Sequence, residues 1–503
     1  MTKARQVVNN LERLLPAIYM IIRCGIACAN TVPLSDPADT PYQISYRGGE
    51  VDANGNLLVG NNLMKLLPFN GKLYATTAVE CDKGAALGGA TPGITPGPGP
   101  QILVLDNSRS KWRLEKEFGT KPDGSARYKR VGSLITANFE TDGQGRLLKQ
   151  PQKMLVAGVS SFSARDKCAI FTGVLNGSQL EWNQTSFDSC RGESARALGF
   201  YRDPNSGIDR IFVGASLTTG PAGNSIYSGV FDPQAPGLIR WSQVPELSGY
   251  AKRIAAFAEL NHRLFATAGT KVFERPLENA ASSPILSWDT VYNYSGPTYL
   301  PLLPFQTGLR GLSPIGTDPY YMMAVMEGVP GDILRFTPTV QGLSAIHEAR
   351  INPLFRATDL KSSQNDFGSL GWVRYYIAAF NDISNIQDPN TGKLINLIGV
   401  EQYNHLIGHE DSAWFVARGQ DGEEYSLHEV KQLGQPLDPD LGLRAVRTIV
   451  ISPFSEDSGR VLYMGGFDPV YECGVDPRGV YNLHDNAWVY RVGLLTALRA
   501  FSP

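Results

Sequence analysis

Arg447 to Asp468 reads RTIVISPFSEDSGRVLYMGGFD, two short apolar runs around a polar turn. The first run is rich in β-branched residues and stops at Pro453-Phe454, while the second ends on Gly465-Gly466. β-Branched residues suit a pleated, half-buried surface, and Ser-Glu-Asp-Ser-Gly is turn chemistry. The stretch therefore predicts a β-hairpin. Whether that hairpin stands alone or is one copy in a series decides the fold.

It is one of a series. The same phrase, an Arg, a strand ending near Phe or Pro, a turn and a strand ending in small residues, recurs along the chain. It reads RALGFYRDPNSGIDRIFVGAS from Arg196, RIAAFAELNHRLFATAGT from Arg253 and RGLSPIGTDPYYMMAVMEG from Arg310. Looser copies begin at Arg130 and Arg374, and NLMKLLPFNGKLYATTAVE from Asn62 has Asn in the Arg position. A third strand follows each pair, as in ILVLD, CAIFTGVL, SIYSGVF, KVFERP, DILRF, AWFVARG and AWVYRVG. Several units add a fourth, as in KWRLEKEF, QLEWNQTSF, IRWSQV and LSWDTVY.

Repeats of this length that cannot bury both faces alone must stack, and four-stranded sheets close best as a ring. The pattern resembles the β-propeller superfamily across residues 40–500 and predicts an all-β fold with seven four-stranded antiparallel blades. The blades begin near residues 62, 130, 196, 253, 310, 374 and 447, and residues 30–503 form one domain. YQISYRGG, Tyr42–Gly49, is expected to close the last blade from the N-terminal side. No Asp-box, Trp-Asp ending, kelch Gly-Gly pattern or tryptophan-docking motif is present, so the resemblance implies a fold and no activity.

The 503 residues carry 46 Lys and Arg against 48 Asp and Glu, a formal charge of -2 with no basic block. Nucleic acid binding needs a concentrated positive footprint and is excluded as an expectation. With 52 Gly and 33 Pro among short apolar runs, the composition is that of a turn-rich β chain. Residues 1–29 read either as a signal peptide, with LLPAIYMII as its apolar stretch and ACA at Ala27–Ala29 as the cleavage site, or as an N-terminal helix. Export places the protein in the periplasm or outside the cell; the alternative is cytoplasmic. No segment is long and apolar enough to span a bilayer, and a monomer is expected.

Cysteine placement tests the topology. Cys81 and Cys473 both follow the second strand of their units, the first and the last, which are neighbours in a closed ring. A Cys81–Cys473 disulfide would staple that ring, and Cys168 with Cys190 would form a local bridge in the second unit. The alternative is four buried free thiols.

In such a ring the starts of the first strands and the second-to-third-strand loops share one face. Arg130, Arg196, Arg253, Arg310, Arg374 and Arg447 should therefore ring the channel mouth, with Glu80, Glu327, Glu401, Asp468 and Glu472 on the same side. Two readings follow. The arginines form either a ladder of pairs between blades or a cationic funnel for a small anionic or saccharide-like molecule, gripped bidentately. GHEDSAWFVARG and LHDNAWVYRVG put His409, Asp411, His484 and Asp485 at that mouth, with His405 and Glu401 upstream. These residues suit a His-Asp general base for hydrolysis or elimination. His405, His409 and His484 with the carboxylates equally suit a divalent metal such as Zn, Fe or Mn. A non-catalytic ligand- or protein-binding propeller with structural arginines is the competing reading.

Overall fold

The computed structural model describes residues 36–79, 98–122, 124, 126–161, 169–185, 194–216, 223–278, 287–296, 308–315, 321–328, 331–340, 342–358, 375–388, 391–404, 409–410, 412–419, 422, 424–430, 442–468 and 485–499. Strands dominate. After β1 (Gln43–Arg47) come β2 (Asn62–Phe69), β3 (Lys72–Ala78), β4 (Gln101–Leu105) and β5 (Arg113–Glu117), then β6 (Tyr128–Thr141), β7 (Leu147–Ser161), β8 (Ala169–Asn176) and β9 (Gln179–Thr185). The next group is β10 (Ser194–Arg202), β11 (Asp209–Ser216), β12 (Asn224–Phe231), β13 (Ile239–Trp241) and β14 (Leu247–Tyr250). It is followed by β15 (Ile254–Leu260), β16 (Arg263–Ala268), β17 (Lys271–Glu274) and β18 (Asp289–Asn293). Then come β19 (Leu309–Pro314), β20 (Met322–Met326), β21 (Asp332–Thr339) and β22 (Gly342–Arg350). Last are β23 (Tyr375–Gln387), β24 (Leu394–Asn404), β25 (His409–Glu410), β26 (Trp414–Arg418), β27 (Tyr425–Glu429), β28 (Ala445–Ile451), β29 (Val461–Phe467) and β30 (Ala487–Gly493).

Within each group the strands pair antiparallel and mostly in chain order, as expected from short turns, with β14 returning to β12 and β26 pairing with β24 past the short β25. Single bridges at Ala78↔Arg130 and Glu401↔Ala445 join two pairs of groups into larger sheets. The first strands pack in a circuit: β2 on β6, β6 on β10, β10 on β15, β15 on β19, β19 on β23, β23 on β28, and β28 back on β2. β1 pairs with β30, Gln43 opposite Arg491 and Arg47 opposite Trp488, so the N-terminal strand completes the last sheet. Antiparallel sheets arranged radially in a closed circuit make this chain a β-propeller.

The apolar core is divided among the seams. Leu63, Leu66 and Ala75 pack on Val461, Tyr463 and Val489, which joins the first sheet to the last. Phe212, Ile226, Leu264 and Phe273 fill one seam, and Met323, Ile333, Ile398 and Val416 another. The small residues that end the second strands explain how close the sheets come. A Cβ on Gly158 would stand 2.1 Å from the Ala195 carbonyl oxygen of the next group, and one on Gly399 2.5 Å from the Val446 carbonyl oxygen.

Ion clusters pin the outer seams. Arg275 is 2% exposed and reaches Glu246 at 2.9 Å, Glu278 at 2.7 Å and Asp203 at 3.2 Å. Glu278 also pairs with Arg210. Buried Arg418 grips Glu348 through Nε at 2.7 Å and Nη2 at 2.9 Å. Asp332, fully buried, accepts from the Tyr294 hydroxyl at 2.6 Å. Each cluster crosses from one sheet to its neighbour.

One sequence expectation needs correction. The arginines do not occupy a single structural position. In the last sheet a bulge between Val446 and Thr448 leaves Arg447 as the extra residue, facing Gly465 and Gly466. Arg196 takes the same place between Ala195 and Ala197. In the first sheet the matching bulge lies between Leu63 and Lys65, so Met64 stands there rather than Asn62. Gly132 and Ala255 hold it in the sheets begun by β6 and β15, with Arg130 and Arg253 two residues earlier. A bulge inserts one residue, and alignment by residue type cannot see that insertion.

Candidate functional site

The recurrent bulge sets the geometry of the channel. It lies near the start of β2, β6, β10, β15 and β28 and turns an extra residue out of the ladder. Where that residue is Gly132 or Ala255, space remains; where it is Arg196, a guanidinium enters. A Cβ at Gly132 would sit 3.6 Å from Cγ of Arg196, so the glycine flanks the arginine stem. The resulting cavity, about 160 Å3, is lined by Lys65, Ser133, Arg196, Ala255, Phe257 and Leu312, one or two from each of five first strands. Ser133 itself donates to the Ala195 carbonyl at 2.8 Å.

Burial, followed by the fields of Arg253, Arg130, Arg447 and Arg310, pushes the Arg196 pKa well below the ordinary guanidinium range. Five arginines therefore converge, despite their different registers. A guanidinium keeps its proton in a protein, so at Arg196 the effect persists as a desolvated positive charge in the field of like charges. Among the described residues no carboxylate forms an ion pair with Arg196.

Its neighbours are placed differently. Arg310 lies 2.8 Å from Glu327, both buried. Arg447 is 1% exposed and stacks its guanidinium 4.6 Å from the Phe467 ring centre. Glu401 is buried at the bridge to Ala445, and Asp468 lies 3.6 Å from Arg444. Arg310 thus has a carboxylate beside it and Arg447 an aromatic ring.

Asp485 lies 2.9 Å from Arg47, whose guanidinium also covers the Trp488 ring at 4.9 Å. Its carboxylate ties β1 to the last sheet. The backbone at His409 and Glu410 forms β25 against Asn404 and Tyr403. Asp411, His405, His484, Arg374, Glu80, Glu472 and the cysteines Cys81, Cys168, Cys190 and Cys473 lie outside the described residues. Among the described residues no group of three His, Cys, Asp or Glu could hold a metal ion, and no helix is long and apolar enough to cross a membrane. Lys65 and Ser133 were not legible as site residues, because nothing in LMKLL or VGSLI marks a channel-facing side chain.

No family model matches the chain, and no curated protein matches it. Solved structures similar to it include a candidate 6-phosphogluconolactonase from Bacteroides fragilis, 11% identical over 80% of this chain and 92% of that one, TM-score 0.40. The propeller of Dos1 is 9% identical over 91% of this chain and 95% of that one, TM-score 0.38. A sialidase of Trypanosoma rangeli bound to sialic acid is 10% identical over 91% of this chain and 58% of that one, TM-score 0.35. At these levels they carry no argument about activity; the site is read from its own geometry.

Proposed function

We propose that this protein is a seven-bladed propeller whose central channel binds a small anion through converging arginines. The blade count is supported by the circuit of β2, β6, β10, β15, β19, β23 and β28, each followed by its own outer strands. The anion reading rests on Arg196, a desolvated guanidinium in the field of four others beside an open cavity. An oxyanion there would neutralise charge and accept several N–H donors at once. A cavity of about 160 Å3 suits a compact anion or the anionic end of a larger molecule, not a whole sugar chain. A general base among His409, Asp411 and His484 would extend this reading and rests on the sequence echo alone, whereas Asp485 has a structural partner in Arg47.

Calorimetric titration with phosphate and with sulfate tests it. Arg196→Gln should weaken binding by at least about tenfold, the usual effect of removing a charge-assisted contact. Equal binding by the parent and this variant would place the anion elsewhere.

A further inference from the structure

The outer side of the sheet holding β26 and β27 meets the helix Leu494–Leu498 across a groove of about 820 Å3. It shares no lining residue with the channel cavity. Ile395, Ala417, Leu495 and Leu498 give it apolar walls. Ser426 is exposed in this groove, with Oγ 2.7 Å from Nε2 of buried His428. The two are alternate residues of β27 and so share one face of the strand. The imidazole stacks on Phe415, ring centres 5.0 Å apart and planes 11° apart, and hydrogen-bonds to the Ala497 backbone. Since Nε2 faces Ser426, the Ala497 carbonyl accepts from Nδ1–H. That tautomer leaves a lone pair on Nε2, into which the Ser426 hydroxyl donates.

We propose that Ser426 is a nucleophile and His428 its general base, in a second site for uncharged esters with an apolar acyl group. Oγ adds to the ester carbonyl carbon as its proton passes to Nε2. The carbon–alkoxide bond then breaks, and the alkoxide takes that proton and departs as an alcohol. A water molecule attacks the acyl-Ser426 by the same route, its proton going to Nε2 and returning to Oγ, and the carboxylic acid leaves. Asp388 and Glu424 also line the groove and disfavour anionic substrates, in contrast to the channel. Burial holds the His428 pKa below its usual 6.5, so the base is neutral at pH 7. The other titratable or charged groups lining the groove are Tyr425 and Arg499.

Full-length protein treated with an ethyl fluorophosphonate, followed by peptide mass spectrometry, tests the proposal. One adduct is expected, on Ser426. The adduct should be lost in Ser426→Ala, and its formation should slow by about 100-fold or more in His428→Gln, the scale of general-base assistance. The parent's rate should also fall as pH drops through a midpoint below 6.5. Absence of an adduct, an adduct on another residue, or Ser426 labelling that does not slow at any acid pH at which the protein stays folded would overturn it. Ser426 is exposed, so its alanine variant should fold, and the parent's pH profile keeps the test decisive should His428→Gln unfold.

Discussion

Arg196 is the residue on which the two readings of the arginine ring part. If it were a structural tie, truncating its charge would break pairs and lower stability. Its surroundings argue otherwise, because burial and four like charges oppose it. Arg196→Gln should therefore keep or slightly raise the melting temperature in anion-free buffer, and lose the rise that phosphate gives the parent. Thermal unfolding with and without phosphate measures both. Glu278 behaves oppositely. Burial works against its ionisation, yet Arg210 and Arg275 outweigh that and hold its pKa at about 2 against the usual 4.5. The depressed value means stability that is full above pH 4.5 and lost as pH falls toward 2, on the order of 3 kcal/mol. Glu278→Gln should flatten that part of the acid-unfolding curve; an unchanged curve would deny the network its role.

At the scale of elements, the recurrent hairpin carried most of what the sequence could reveal. Strand pairs, third strands and even the Trp-bearing fourth strands appear where period and turn chemistry put them, as IRW and SIYSGVF do in β13 and β12. The equivalence of the arginines was misjudged, since a bulge shifts the register by one residue without leaving a mark in composition. The ion clusters were equally hidden: Arg275, Glu246 and Asp203 are far apart in sequence and meet only across a seam. The glycines at strand ends were visible as small residues, and their reason is close approach between sheets. Gly158→Ala should cost about 1–3 kcal/mol or more through overpacking against Ala195. Chemical denaturation checks this, and a neutral result would mean that the seam relaxes more than a packed core does.

For the whole molecule, closure is the organising event. β1 enters the last sheet beside β30, and the layer containing Leu63, Val461 and Val489 seals the circuit between chain ends. Arg47 contributes twice, through Asp485 and through Trp488. Arg47→Ala should loosen the seam between the ends first, seen as faster amide exchange in β1 and β30 while β11 and β16 keep their protection. Uniform exchange throughout would show that closure is not a local latch. The channel is a product of that ring, because no single sheet supplies more than a fraction of its wall. The central claim, an anion held among converging guanidinium groups, is tested most directly by crystals soaked in selenate. An anomalous selenium peak in the channel, within hydrogen-bond reach of Arg196, is the predicted result; peaks confined to the outer surface, with an empty channel, would contradict it.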